Sequence, residues 1–281
     1  MGNKLNGFMP RMNSKRVACL AAILLMLTTV AMSSVKPGGQ AKRGTGTVKV
    51  LYGTVKNPEY AKLQKEFKDA KALEGIAADI NNTFSLPADL TLTFTECGTV
   101  NAFYDPNKQQ VSMCYELVEH FAQIFSKHAK NDDELADAVV GATVFVLFHE
   151  MGHALVHLLD LPITGKEEDA VDQLSTVILA DGTDEGESMA LQGALSFYVE
   201  DQDKESKVNN LPFWDEHSLS QQRFYNIVCW VYGQNEKKYA HLVTNGVLPE
   251  DRAVRCSGEF AKMDKAWMTL LAPYVKEAKS K

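Results

Sequence analysis

The chain has 281 residues, 45% apolar and 23% charged, with 18 Gly and 9 Pro. That composition is globular and excludes collagen, low-complexity and wholly disordered classes. Lys and Arg total 29 and Asp and Glu total 36, a formal net charge of −7. Four cations, Lys4, Arg11, Lys15 and Arg16, precede residue 34 and no acid does, so the remainder carries 25 minus 36, or −11. An acidic body without a basic stripe argues against nucleic acid as partner, and equally against an anionic membrane surface.

At the start of the chain, Lys15-Arg16 precede the uncharged, mostly apolar run Val17–Met32, with the small residues Ala31, Ser33 and Ser34 at its end. Basic flank, apolar run and small-residue exit are the layout of a signal peptide, with Met12 as an alternative start. The 16-residue run falls short of the about 20 residues that span a bilayer. Residues 1–33 therefore read as a signal peptide, with an uncleaved N-terminal anchor over 17–32 as the alternative. Cys19 lies near the start of the run and is poorly placed for lipid attachment. Residues 34–47 read as a flexible linker and 48–281 as one domain. The protein is expected to be exported, periplasmic or secreted. In that setting the four remaining cysteines, Cys97, Cys114, Cys229 and Cys256, suggest two disulfides.

Residues 48–55 alternate and predict a strand; the three- and four-residue spacing of Leu63, Phe67, Ala70, Leu73 and Ile76 predicts one helix over 58–80. Residues 90–94 predict a second strand. Residues 100–104 and 110–115 flank the turn Asp105-Pro106-Asn107-Lys108 and predict a hairpin, with Phe103 opposite Gln110 and Asn101 opposite Ser112. That register brings Cys97 nearly across from Cys114, with Gly98 available for a bulge, and leaves Cys229 to pair with Cys256. An amphipathic helix is predicted over 116–130. Asn131 and Glu134 form a capping box for a long helix whose middle, 139–148, is almost wholly apolar and therefore central. Thr164 and Glu167 form a second box, opening a helix that buries Val171, Leu174, Val177 and Ile178. Further helices are expected over 186–200, 218–232 (capped by Ser218 and Gln221, stopped by Gly233) and 257–271. Trp214, Trp230 and Trp267 are expected in the core. The fold class is α+β: a small N-terminal sheet on helices, then a mostly helical C-terminal half.

The chemistry sits at His149-Glu150-Met151-Gly152-His153, an HExxH motif. Helical residues four apart lie about 6 Å along the axis and about 40° round it, so both imidazoles project from one face and can converge on one cation. Glu150, about 100° from His149, can reach a water at that cation and act as general base. Chance would produce the motif roughly once in a hundred such chains, and burying two His and a Glu without partners is costly. Zinc needs a third protein ligand and an open fourth position. His157 lies about 12 Å along the helix from His149, too far to share the ion, and reads as a helix-end histidine. Glu167 is assigned to the capping box. Glu168 and Asp172, four apart on the next helix, remain: Glu168 is the expected ligand, and Asp172 the acceptor of a ligating histidine's outer N–H. Asp169 or Asp172 is the fallback ligand. His217, oriented by Asp215, is the first candidate donor to a developing oxyanion, followed by Arg223 and Tyr225.

HExxH followed by ExxxD on a second helix resembles the gluzincin branch of zinc metallopeptidases. The wider chain resembles a bacterial metallopeptidase family of unknown function. That resemblance is carried by ECGTVNAFYDP (96–106), CYEL (114–117), HEMGHAL (149–155), LPITGKEEDAVDQ (161–173), DEHSLSQQRFYN (215–226), CWVYG (229–233) and LPEDRAVRC (248–256), and spans about residues 85–260. It implies a zincin-like fold, a mixed sheet whose edge strand lies over the active-site helix. The metzincin pattern is disfavoured because no glycine and third histidine follow His153. The expected function is an exported peptidase using one zinc ion held by His149, His153 and Glu168, with Glu150 as base and a peptide or protein as substrate. The edge of the 101–115 hairpin can hold that peptide as an added strand. The alternatives are a catalytically silent cell-envelope binding protein on the same fold, or a zinc amidase acting on a non-protein amide. A membrane is expected as partner only through the N-terminal segment.

Overall fold

The computed structural model describes residues 44–202 and 211–276. The expected signal peptide or anchor, Cys19 and most of the expected linker lie outside the described residues. The end of that linker is tied down: Gly44 N–H donates to Ser85 Oγ, and Gly46 bridges Leu86.

Strand β1 (Val48–Tyr52) pairs parallel with β2 (Leu90–Thr95), Val48 opposite Leu90. Between them stand two helices, α1 (Pro58–Ala70) and α2 (Ala72–Thr83), where one was predicted. The break is Lys71, at φ 51°, whose N–H bonds to the carbonyls of Phe67 and Lys68. A left-handed residue there satisfies the open end of α1 and turns α2 against the sheet. The apolar spacing runs through the break, so periodicity could not locate it.

After β2 come β3 (Ala102–Asp105) and β4 (Gln110–Cys114), giving the order β1-β2-β4-β3. The first three in that order run parallel, and β3 is the antiparallel edge. The hairpin register differs from expectation: Phe103 faces Ser112, and Gln110 faces Asp105. The cause is Asp105, whose Oδ1 accepts the N–H of Asn107 (3.0 Å) and Lys108 (3.2 Å). It thereby closes the turn from the last paired position, so the turn spans 106–109 and every expected pair shifts by two. Cys97 still reaches Cys114 (S–S 2.05 Å), because Gly98, at φ 74°, redirects the chain and Glu116 accepts the N–H of both Cys97 and Gly98.

Helix α3 (Tyr115–Phe125) is shorter than expected. Helix α4 (Asp132–Leu159) is the axle of the fold. Asn131 caps it, accepting from the N–H of Asp133 and Glu134, while the Glu134 carboxylate reaches Lys130 N–H, one residue beyond the cap. Helix α4 is long and apolar enough to cross a membrane, yet 83% of its most apolar window is buried inside the protein. Helices α3, α5 (Glu167–Leu179) and α6 (Asp184–Gln202) pack against it, and α7 (Ser220–Gln234) packs on α5 and α6. Two short helices that periodicity is too coarse to reveal, α8 (Ala240–Thr244) and α9 (Glu250–Ala253), lead to α10 (Cys256–Leu271) and a 3-10 turn over Ala272–Tyr274. Cys229 of α7 and Cys256 of α10 are bonded (S–S 2.00 Å). The described residues are thus α+β, a small mixed sheet followed by a helical half.

Two expected caps are replaced. Helix α5 starts at Lys166 without a side-chain cap, so the Thr164–Glu167 box does not form. At α7 the Gln222 side chain accepts Leu219 N–H, Ser218 donates to Asp169 instead, and the helix runs past Gly233. Trp230 and Trp267 are core residues, but Trp214 is 84% exposed. It lies in tight turns (Phe213 N–H to Leu211 O, Asp215 N–H to Pro212 O) that offer no helix or strand face to bury it.

Candidate metal centre

His149 and His153 stand one turn apart on α4, His149 buried and His153 half-buried. Their rings meet at 78° with centroids 5.0 Å apart. Helix α5 crosses directly over them because Gly152 has no side chain: a Cβ there would lie 2.8 Å from Val171 Cβ. That close approach brings Glu168 Oε2 to 3.0 Å from His149 Nε2 and 3.4 Å from His153 Nε2. Tetrahedral bonds of 2.0–2.2 Å put neighbouring donor atoms about 3.3–3.5 Å apart, so two imidazoles and one carboxylate fit a single zinc-sized ion. Among the described residues, His149, His153 and Glu168 form a set whose ligand atoms all lie within 4.8 Å of one another.

The outer nitrogens are held as well. His149 Nδ1 is 2.8 Å from Asp172 Oδ1, and His153 Nδ1 is 2.7 Å from Glu167 Oε1. Carboxylates at both Nδ1 atoms hold a proton there and turn both Nε2 atoms towards Glu168, where they can ligate an ion once unprotonated. Sequence reasoning missed Glu167, which had been assigned to a cap. The signal was the adjacent pair Glu167-Glu168: neighbours on a helix diverge by about 100°, so each can serve a different partner. Arg223, named after His217 as a candidate donor, lines the same cleft. Its Nε and Nη2 bond both oxygens of Asp172 at 2.7 Å, and its guanidinium stacks 3.9 Å above the Phe197 ring. It clamps Asp172 rather than offering a free donor. Asp169 accepts from Ser218 at 2.7 Å and stands apart from the histidines; Tyr225 sits half-buried beside that pair.

His217 Nε2 lies 3.0 Å from Glu168 Oε2, and Asp215 Oδ1 lies 3.1 Å from His217 Nδ1 and accepts its backbone N–H at 2.8 Å. His157 is exposed and bonds the Tyr104 hydroxyl through Nδ1 (2.8 Å). Burial pushes the Glu168 carboxyl up, but hydrogen bonds from His149, His153 and His217 outweigh it and hold it well below the carboxylate range. For His153, burial pushes down, and Glu168 and Glu167 outweigh it, raising the ring to about 9.

Glu150 is buried, 8% exposed, at the floor of an open cleft of about 970 Å³. Burial raises its carboxyl, and the Tyr104 backbone N–H beside it offsets a small part of that rise. Strand β3 forms the opposite wall. Cys114 N–H bonds Asn101 O (3.3 Å), so with two-residue alternation residues 101, 103 and 105 face β4. Ala102 and Tyr104 therefore turn their main-chain groups outward. The Ala102 N–H is taken by Asn101 Oδ1 and the Tyr104 N–H faces Glu150, leaving two carbonyls directed at the cleft.

No curated protein and no solved structure matches the chain. The family described as "Putative metallopeptidase" matches residues 52–271, most of the chain, and the paired histidines with their carboxylate neighbours lie inside that span: the protein belongs to this metallopeptidase family.

Proposed function

We propose that this protein is an exported, zinc-dependent peptidase, with His149, His153 and Glu168 holding one ion. The observation that carries the reading is the donor set: two Nε2 atoms and a carboxylate oxygen meet while each Nδ1 is held by its own carboxylate. Bound there, zinc supplies Lewis acidity, acidifying water and polarising a carbonyl oxygen. Glu150 takes the proton from the attacking water and delivers it to the departing amine nitrogen; a buried carboxyl with a raised pKa suits both halves of that task. The outward carbonyls of Ala102 and Tyr104 accept N–H groups of an extended peptide lying along β3. His217, steadied by Asp215 through Nδ1, can donate to the oxygen that gains charge once its Nε2–H leaves Glu168. The substrate is a peptide or protein, not nucleic acid. Two disulfides and the N-terminal apolar run support export to an oxidising compartment, with the membrane touched at most through residues 17–32.

The test is Glu150→Gln. It should retain zinc, measured by metal analysis, and lose cleavage of a peptide library by 1000-fold or more, on the order of the loss expected for a general base. Retained cleavage refutes the assignment. Bound zinc with no cleavage by the parent chain would favour a binding protein or an amidase acting on a non-protein amide.

A further inference from the structure

The charge around the cleft does not balance. Its lining carries the carboxylates of Glu150, Asp160, Glu167, Glu168, Glu200 and Glu216, with no lysine and with Arg223 as the sole permanent cation. Arg223 is neutralised by Asp172. A divalent ion would be balanced by Glu168 and Glu150. Glu167 is paired with His153, and among the described residues the lining carboxylates of Asp160 and Glu216 make no hydrogen bond or ion pair. Asp160 also terminates α4, a 28-residue helix whose last carbonyls add partial negative charge at that end of the cleft. The body of the chain is acidic as well, which steers cations towards the surface from a distance.

We infer that the cleft selects peptides bearing Lys or Arg within a few residues of the bond to be cut, and rejects acidic ones. The carboxylates act as the rim of the site already described, so this inference rests on the peptidase reading. The selection is Coulombic. It favours basic peptides by complementarity and excludes acidic ones by repulsion.

The probes are two fluorescein-labelled nonapeptides, identical except for Lys or Glu at the second and third positions on either side of the centre. Binding to zinc-loaded Glu150→Gln protein is read by anisotropy, so no turnover is needed. The Lys peptide should bind about tenfold tighter or more at low salt, and the gap should close near 0.5 M salt, where screening is nearly complete. Asp160→Asn and Glu216→Gln should each reduce the preference about twofold to fivefold. Asn tolerates the left-handed conformation that Asp160 adopts, at φ 51°, so that variant keeps the helix end. Equal affinities, tighter binding of the Glu peptide, no binding of either peptide, or a preference untouched when Asp160→Asn and Glu216→Gln are combined each overturn the inference. Failure of the parent chain to cleave, with the preference intact, would instead sink the peptidase reading alone.

Discussion

Replacing Asp172 by Ala removes the support beneath the centre, and the structure sets the size of the effect. The Asp172 carboxylate is 3% exposed and accepts two bonds from Arg223 (2.7 Å each) and one from His149 Nδ1 (2.8 Å). Without it a guanidinium that is 13% exposed stands in the interior without its hydrogen-bonded anion. Breaking a buried pair in this way costs about 3–5 kcal/mol. His149 also loses the acceptor that sets its tautomer and ring angle, which weakens metal binding about 10–100-fold. Urea unfolding of the metal-free protein measures the first loss, and competition with a chromophoric chelator measures the second. The double variant Asp172→Leu/Arg223→Met separates the two effects. It removes both members of the buried pair and keeps a flexible side chain against Phe197, so most of the stability should return. The zinc affinity should stay low. A single Asp172→Ala variant within about 1 kcal/mol of the parent, and binding zinc as tightly, would refute the account.

Two further outcomes follow from the same geometry. Gly152→Ala should destabilise by about 1–3 kcal/mol and weaken zinc binding, despite the better helix propensity of Ala, because the new Cβ pushes Val171 and with it Glu168 away; Val171→Ala should rescue both, as paired denaturation and chelator titrations would show. The second concerns pH. The folded value of His153, about 9, lies above the ordinary histidine value of 6.5, so its pairing with Glu168 and Glu167 stabilises the metal-free protein fully below pH 6.5 and is lost as pH rises towards 9. The urea midpoint measured with chelator should fall across that window and flatten in His153→Gln. Zinc affinity should rise over the same range because the ligating nitrogens must be unprotonated. A pH-independent midpoint in the metal-free parent contradicts the ion-pair account.

Much of this protein could be read from local spacing. The four-residue step from His149 to His153 follows from the pitch of a helix, and the step from Glu168 to Asp172 repeats it, so those residues share faces once their helices exist. The apolar stretch of α4 announced its central position. Spacing could not say which of two adjacent glutamates would point at which imidazole. Nor could it reveal that Arg223, 51 residues beyond Asp172, would clamp it. The break at Lys71 and the shifted hairpin register depend on a left-handed residue and on an Asp closing a turn from the strand, choices that apolar periodicity does not encode. Trp214 was misread because composition suggests burial, whereas burial requires a face to pack against.

By itself, then, the sequence determined the long central helix and its neighbour over Glu167–Leu179, the paired histidines on one face and the carboxylates available to them, because each depends on neighbours a turn apart. Tertiary structure decided the assignments: Gly152 lets α5 approach closely enough for Glu168 to meet both rings, and β3 brings the Tyr104 amide to Glu150. Those contacts join residues distant in sequence, and their geometry comes from the packing of whole elements against one core.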